Sequence, residues 1–323
     1  MNVLLKQAES YAYTEYKGKI QNWGYIANLS LNRFYYSQRD NHSERYGFQP
    51  SLLVSYNPVD NLHFRYHINL KNNAPSIAYL NDVEQRIDIL QTRRGNPDLK
   101  SFRSTIQDFN AIFSTGIFSI DALVSYAYEK NPIMESVIYE EGMFIHTYEN
   151  QKSFQHLAAE VTFNIKPWKD HISLSVTPGI NRYISTGNNY LHTYTLKELR
   201  INLDASYKNW LLSFMTITPP NRYVYGEQLL KGDLMHTLMI GYKQPAWSIM
   251  AGIHNPFMKT YRSENANWSA LNPVKSDIHS TNMSNTIVVK LNFNLNFGRQ
   301  YKGANKGIQN IDTDSGILQG TKE

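Results

Sequence analysis

From Thr286 to Phe297 apolar and polar residues alternate along the chain. Ile287, Val289, Leu291, Phe293, Leu295 and Phe297 fall on one side, and Thr286, Lys290, Asn292, Asn294 and Asn296 fall mainly on the other, with Val288 breaking the pattern. A period of two over this length fits a strand with one apolar and one polar face, because a helix of 3.6 residues per turn would smear both sets around its circumference. The same alternation recurs at Leu62, Phe64, Tyr66, Ile68 and Leu70, at Leu157, Ala159, Val161, Phe163 and Ile165, at Ile172, Leu174, Val176 and Ile180, and at Leu199, Ile201, Leu203 and Ala205. Weaker versions cover 9–17, 20–37, 45–56, 103–114, 117–128, 209–218, 232–242 and 246–254. The pattern predicts about thirteen strands and no helix.

The links between these strands sort into two kinds. Tight turns are expected at Lys17-Gly18-Lys19, Asn57 to Asn61, Thr115-Gly116, Lys166 to Asp170, Tyr207-Lys208-Asn209 and Lys243-Gln244-Pro245. Longer polar connections fall at 38–44, 74–102, 130–151, 185–193, 219–231 and 263–283. Short and long links alternate, which is the layout of an antiparallel meander with tight turns at one end and loops at the other. Outer-membrane barrels have that layout, with turns periplasmic and loops outside. A strand of about ten residues, rising roughly 3.3 Å each and tilted near 45°, crosses about 23 Å, close to the apolar band of such barrels. Trp23, Tyr56, Trp168, Tyr207, Trp210, Tyr242 and Trp247 cluster beside the short turns, where an interfacial girdle belongs.

Composition narrows the alternatives. The 323 residues are 13% aromatic, too many for a disordered chain. Mean hydropathy is −0.48 and no run of about eighteen apolar residues exists, which excludes a helical span but not a barrel. Cysteine is absent, so disulfides, thiolate metal sites and cysteine catalysis are out. The net charge of +5 carries no basic block of the kind nucleic-acid tails show. The first ten residues lack the basic and apolar pattern of an export signal.

Gly95-Asn96-Pro97-Asp98-Leu99-Lys100 closes a long loop just before the strand that begins near Arg103. It resembles the Gly-Asn-Pro-x-Leu-Lys/Arg segment of TonB-dependent receptors of the bacterial outer membrane, with Ser101-Phe102 where many members have Pro-Glu. The final Leu-Asn-Phe-Asn-Leu-Asn-Phe strand and the polar tail around Asp312 to Gly316 are similar to the endings of such barrels. The resemblance implies an all-β, antiparallel up-and-down transmembrane barrel, here a partial one of about 13 strands out of about 22, without the N-terminal plug. It assigns residues 1–297 to the barrel and 298–323 to a polar periplasmic tail. It implies solute uptake without a cofactor, in contact with outer-membrane lipid. A plug and further strands encoded upstream, TonB acting through that missing part, and a surface lipoprotein would be its partners.

Candidate sites are sparse. His63 and His67 share a strand face, about 13 Å apart, too far to chelate one metal. Asp204, His171 and nearby serines lack any Gly-x-Ser-x-Gly elbow. Arg65, Lys71, Glu160, Arg200, Asp204 and Lys290 fall on the polar side of their strands and are expected to face the lumen, paired with one another or with a plug. Tyr139, Tyr148, Tyr190, Tyr194, Tyr223 and Tyr225 lie in the long loops, where aromatic rings could stack on a flat ligand or stabilise hairpins. The alternatives are a self-contained passive channel or adhesion barrel, and a soluble carbohydrate-binding β-protein.

Overall fold

The computed structural model describes residues 5–38, 41–168, 171–219 and 223–294. In chain order its strands are β1 (Leu5–Ile20), β2 (Trp23–Gln38), β3 (Asn41–Val59), β4 (Leu62–Asn73), β5 (Gln85–Arg86), β6 (Gln91–Arg93), β7 (Phe102–Ser114), β8 (Phe118–Lys130), β9 (Ile133–Glu140), β10 (Met143–Asn150) and β11 (Ser153–Trp168). There follow β12 (Ile172–Thr186), β13 (Leu191–Tyr207), β14 (Trp210–Ile217), β15 (Tyr223–Tyr225), β16 (Gln228–Gly232), β17 (Met235–Lys243), β18 (Trp247–His254), β19 (Tyr261–Asn267), β20 (Val274–Ser280) and β21 (Thr286–Phe293). A one-turn helix, α1 (Ile77–Leu80), sits between β4 and β5.

Thirteen of these strands form one antiparallel sheet in the order β1-β2-β3-β4-β7-β8-β11-β12-β13-β14-β17-β18-β21, so strands consecutive along the wall are neighbours in space. Among the described residues β1 pairs only with β2 and β21 only with β18, leaving an open partial barrel with two one-sided edges. The apolar rows point away from the concave side. On β21, Ile287, Val289, Leu291 and Phe293 are 77%, 61%, 57% and 65% exposed, and Phe109, Val124, Leu157, Phe163 and Ile240 are exposed in the same way. A water-soluble sandwich would bury these rows against each other. Here they form the surface offered to hydrocarbon, while serines, threonines, asparagines and charges line the inner side.

At the turn end aromatic rings from neighbouring strands meet in several groups. Trp23 stacks on Tyr56 at 4.3 Å between centroids, Trp210 meets Tyr242 edge-on at 5.1 Å, and Tyr242 reaches Trp247 at 5.9 Å. Trp168 and Tyr207 lie 6.2 Å apart.

Several expectations change. The first turn falls at Gln21-Asn22, and Gly18 lies inside β1, where the Tyr25 ring occupies the space a Cβ would need. A glycine there marks a ring laid across the strand rather than a turn. The connections at 38–44 and 185–193 are short: β2 runs to Gln38 before β3 begins at Asn41, and β12 runs to Thr186 before β13 begins at Leu191. These hairpins simply extend beyond the apolar band. The remaining long connections carry structure, since β5, β6, β9 and β10 form one small sheet and β15, β16, β19 and β20 another. The chain also has a helix where none was expected: α1 is capped by Ser76, whose side chain accepts the backbone N–H of Tyr79. Leu295, Phe297, turn residues 169–170 and the tail at 298–323 lie outside the described residues.

Candidate functional site

Both small sheets stand at the loop end and pack against the inner side of the wall. One apolar cluster joins Phe34 and Tyr36 of β2 to Ile77, Leu80, Leu99 and Ile133. A second joins Phe154 of β11, Tyr183 of β12 and Leu196 of β13 to Met134, Val224, Leu229 and Ala266. The inner row of β2 therefore changes character along one strand, from Ser30 and Asn32 to Phe34 and Tyr36. Burying these apolar side chains under the loop sheets is worth roughly 1.5–3 kcal/mol each.

The Gly95-to-Lys100 segment is the clamp of the first cluster. Its backbone N–H groups at Gly95 and Asn96 donate to the carbonyls of Asn81 and Tyr79, at 2.7 and 2.6 Å. A Cβ on Gly95 would stand 2.5 Å from each of those carbonyl oxygens, so only glycine allows the approach. Asn96 donates its side-chain amide to the Tyr148 carbonyl at 3.0 Å and accepts the Asp98 N–H at 2.9 Å. Pro97 sits between these two contacts and lines a cavity of about 400 Å³ with Arg94, Asp98 and Glu149. Leu99 is fully buried, and its carbonyl accepts from the Arg45 guanidinium at 2.6 Å. Lys100 is held through its backbone by the Asn150 amide side chain, 2.8 Å on the N–H and 2.9 Å on the carbonyl. The motif thus ties the loop to β3 and to the β9–β10 hairpin at once.

The loop tyrosines separate by environment. Tyr148 stacks on Tyr79 at 4.1 Å, and burial pushes its hydroxyl up to about 12. Tyr190 donates to the Met134 sulfur at 3.3 Å, and burial raises its hydroxyl well above the usual phenol range. Tyr225 donates to Glu129 at 2.8 Å and meets Phe154 edge-on at 4.7 Å. Tyr194 packs on the second cluster, whereas Tyr139 is exposed with its ring tilted against Phe144. Tyr223 pairs through its backbone with Leu230.

Tyr190 also lines a cavity of about 290 Å³ with Glu149, Gln151, His192, Glu227 and Trp268. His192 is flanked by Tyr190 and Trp268, each 5.0 Å away, and its Nε2 has no hydrogen-bond partner among the described residues. Burial holds the Glu227 carboxyl above the usual carboxylate range. Such a recess stacks a flat ring and offers carboxylate and imidazole contacts at its rim. The Tyr190-x-His192 spacing, two residues apart entering a strand, was a readable sign of a shared face. Trp268 had no such sign, because it arrives from a distant loop.

On the inner wall Arg200 donates to Glu160 at 2.5 Å. The two strands that carry them are separated by β12, and the contact crosses at Gly179, which has no side chain to intervene. Arg65 lines a cavity of about 470 Å³ with His67, Asp108, Asn110 and Ser125. There His67 lies 3.6 Å from Asp108, and the Ser125 hydroxyl donates to Asp108 at 2.6 Å. Lys71, Asp204 and Lys290 are exposed and have no ionic partner among the described residues. His171 contacts the Ser206 carbonyl at 3.0 Å rather than Asp204. No cluster of metal-ligating side chains occurs among the described residues.

An antiparallel wall with its apolar rows outward, a polar concave side and folded loops at one end defines the wall of a transmembrane β-barrel. The outer membrane protein beta-barrel family model matches residues 2–218, and the chain belongs to that family. The FrpB iron transporter of Neisseria meningitidis superposes with a TM-score of 0.60 at 11% identity, over 84% of this chain and 44% of its own. The siderophore receptor PirA of Pseudomonas aeruginosa gives 0.58 at 13% over 90% and 57%. The copper transporter OprC gives 0.64 at 12% over 90% and 48%. The chain therefore spans about half the length of these solved structures. No curated protein matches it in sequence.

Proposed function

We propose that this chain is the C-terminal barrel segment of a TonB-dependent receptor that takes up a solute across the outer membrane, without catalysis. The observation that carries the reading is the pair of one-sided edges at β1 and β21. Within hydrocarbon each unpaired backbone group costs several kcal/mol, so a membrane wall of this kind calls for more strands before it closes. The rest of the reading assigns residues 1–297 to the wall and its loops and 298–323 to a periplasmic tail. A plug supplied by the same receptor engages TonB, and a surface lipoprotein caps the mouth. The solvent-lined inner face, with Arg65, Lys71, Glu160, Arg200, Asp204 and Lys290, meets that plug and the passing solute. The loop end supplies the ligand contacts, drawn from Tyr139, Tyr148, Tyr190, Tyr194, Tyr223 and Tyr225, with the recess beside Tyr190 the best formed. Iron, copper and siderophores, named for FrpB, OprC and PirA, are the first candidates to test.

Planar-bilayer recording of the purified chain tests the reading. No stable conductance is expected from the chain by itself. A steady channel would favour the self-contained passive barrel. In cells, disrupting the gene and disrupting TonB are expected to abolish uptake of the same solute, and uptake that survives loss of TonB would overturn the assignment.

A further inference from the structure

The outer face of the wall carries cations that neither transport nor the lumen uses. On β7, β8, β11, β12 and β13 the outward rows hold no Asp or Glu among the described residues, yet they present Arg103, Lys130, Arg182 and Lys197, all exposed. None of the four side chains has an ionic or hydrogen-bond partner among the described residues. Arg103 and Lys130 are direct register partners on adjacent strands. Like charges placed so, about 5 Å apart at Cβ, repel each other unless an anion lies between them. Arg182 pairs with Thr195, which sets Lys197 diagonally beside it on the same face.

The four cations also share a height. Arg103 stands about ten residues from Phe113, Lys130 about twelve from Phe118, Arg182 about ten from Ile172 and Lys197 about ten from Tyr207, counting toward the short turns. At roughly 3.3 Å per residue and a 45° tilt, ten residues climb about 23 Å, the thickness of the apolar band. Below Arg182 and Lys197 the outward rows turn apolar at once, at Ile180 and Leu199. Beneath Lys130 they pass through Tyr128 and Tyr126, interfacial residues by type. The cations therefore sit where headgroups of the loop-side leaflet lie.

We propose that Arg103, Lys130, Arg182 and Lys197 form a binding face for the phosphate groups of an anionic lipid in the outer leaflet. The proposal rests on the membrane reading above. A phosphate between Arg103 and Lys130 relieves their repulsion, and the Arg182 fork offers paired N–H donors to a second phosphate beside Lys197. Apolar side chains beside and below Arg182, Leu157 and Ile180 among them, receive the acyl chains.

The test uses the whole receptor that contains this chain, in detergent and judged folded by heat-modifiable gel migration, with native mass spectrometry counting bound lipid. The probes are a bis-phosphorylated glucosamine lipid, the same lipid stripped of phosphate, and inorganic phosphate as competitor. Preference of at least about tenfold for the phosphorylated lipid is expected, with each cation removed weakening it about fivefold. Arg182→Ala with Lys197→Ala should abolish the preference, Lys197→Arg should keep it, and Lys166→Ala, which removes a cation at the turn end, should leave it intact. Equal binding of the two lipids, or equal loss in Lys166→Ala, overturns the proposal. So does displacement of the lipid by inorganic phosphate at equal concentration, which would mark a free-phosphate site. A whole receptor with no heat-modifiable form fails the membrane reading itself, a result distinct from failure of the lipid face.

Discussion

The wall and the loop end are built from the same kind of strand and hide their apolar side chains in opposite directions. On the wall, Leu291 and its row face outward, and nothing among the described residues covers them. At the loop end, Leu99, Met134 and Val224 are almost completely buried beneath strands that stand clear of the membrane. The difference follows from solvent. Hydrocarbon accepts a bare apolar row at no cost, whereas water outside the membrane drives the same side chains under cover. Between the two, the inner wall faces water and stays polar until the loop sheets fold over it, which is why β13 reads Asp204, Asn202 and Arg200 at one end and Leu196 and Tyr194 at the other.

The contrast can be broken from either side. Leu99→Ala should cost the loop end about 2–5 kcal/mol, seen as faster protease cleavage within 74–101 while heat-modifiable migration of the wall is unchanged. Leu291→Arg should cost about 2–4 kcal/mol of wall stability, measured by urea unfolding in bilayers, with Asn292→Arg nearly neutral. Equal effects at those two neighbours would mean the rows are assigned to the wrong sides. Gly95→Ala should cost about 1–3 kcal/mol, since the added methyl meets the carbonyls of Asn81 and Tyr79, and the same loop cleavage assay reads it. The smallest effect concerns acidity. Burial raises the Glu227 carboxyl, so the folded loop keeps a proton that the unfolded loop releases near pH 4.3. Below about that pH the loop has its full stability, and it loses some as pH rises through the raised value. Glu227→Gln should flatten that slope in a pH series of hydrogen exchange.

Much of the wall was legible because a period of two is a local property. Leu291 and Asn292 declare their sides within one strand, and the girdle from Trp23 to Trp247 follows from strand ends alone. Gly18 misled because a glycine under an aromatic ring and a glycine in a turn look alike in one dimension, and only the Gly18–Tyr25 register tells them apart. The Gly95-to-Lys100 segment was visible as a motif, but its action was not. Its partners Asn150, Arg45 and Tyr148 lie about fifty residues away and carry no mark of the contact. The Trp268 side of the recess was hidden for the same reason.

The alternation of side chains, the sorting of short and long links and the membrane-spanning length belonged to the amino-acid order by itself, since each depends on neighbours a few residues apart. The tertiary structure alone decided that the loops fold into two sheets, that they cap the inner wall with apolar cores, and that Arg200 reaches Glu160 over Gly179. Those outcomes depend on which distant strands come to lie side by side, and pairing across space is set by register and closure rather than by any local pattern.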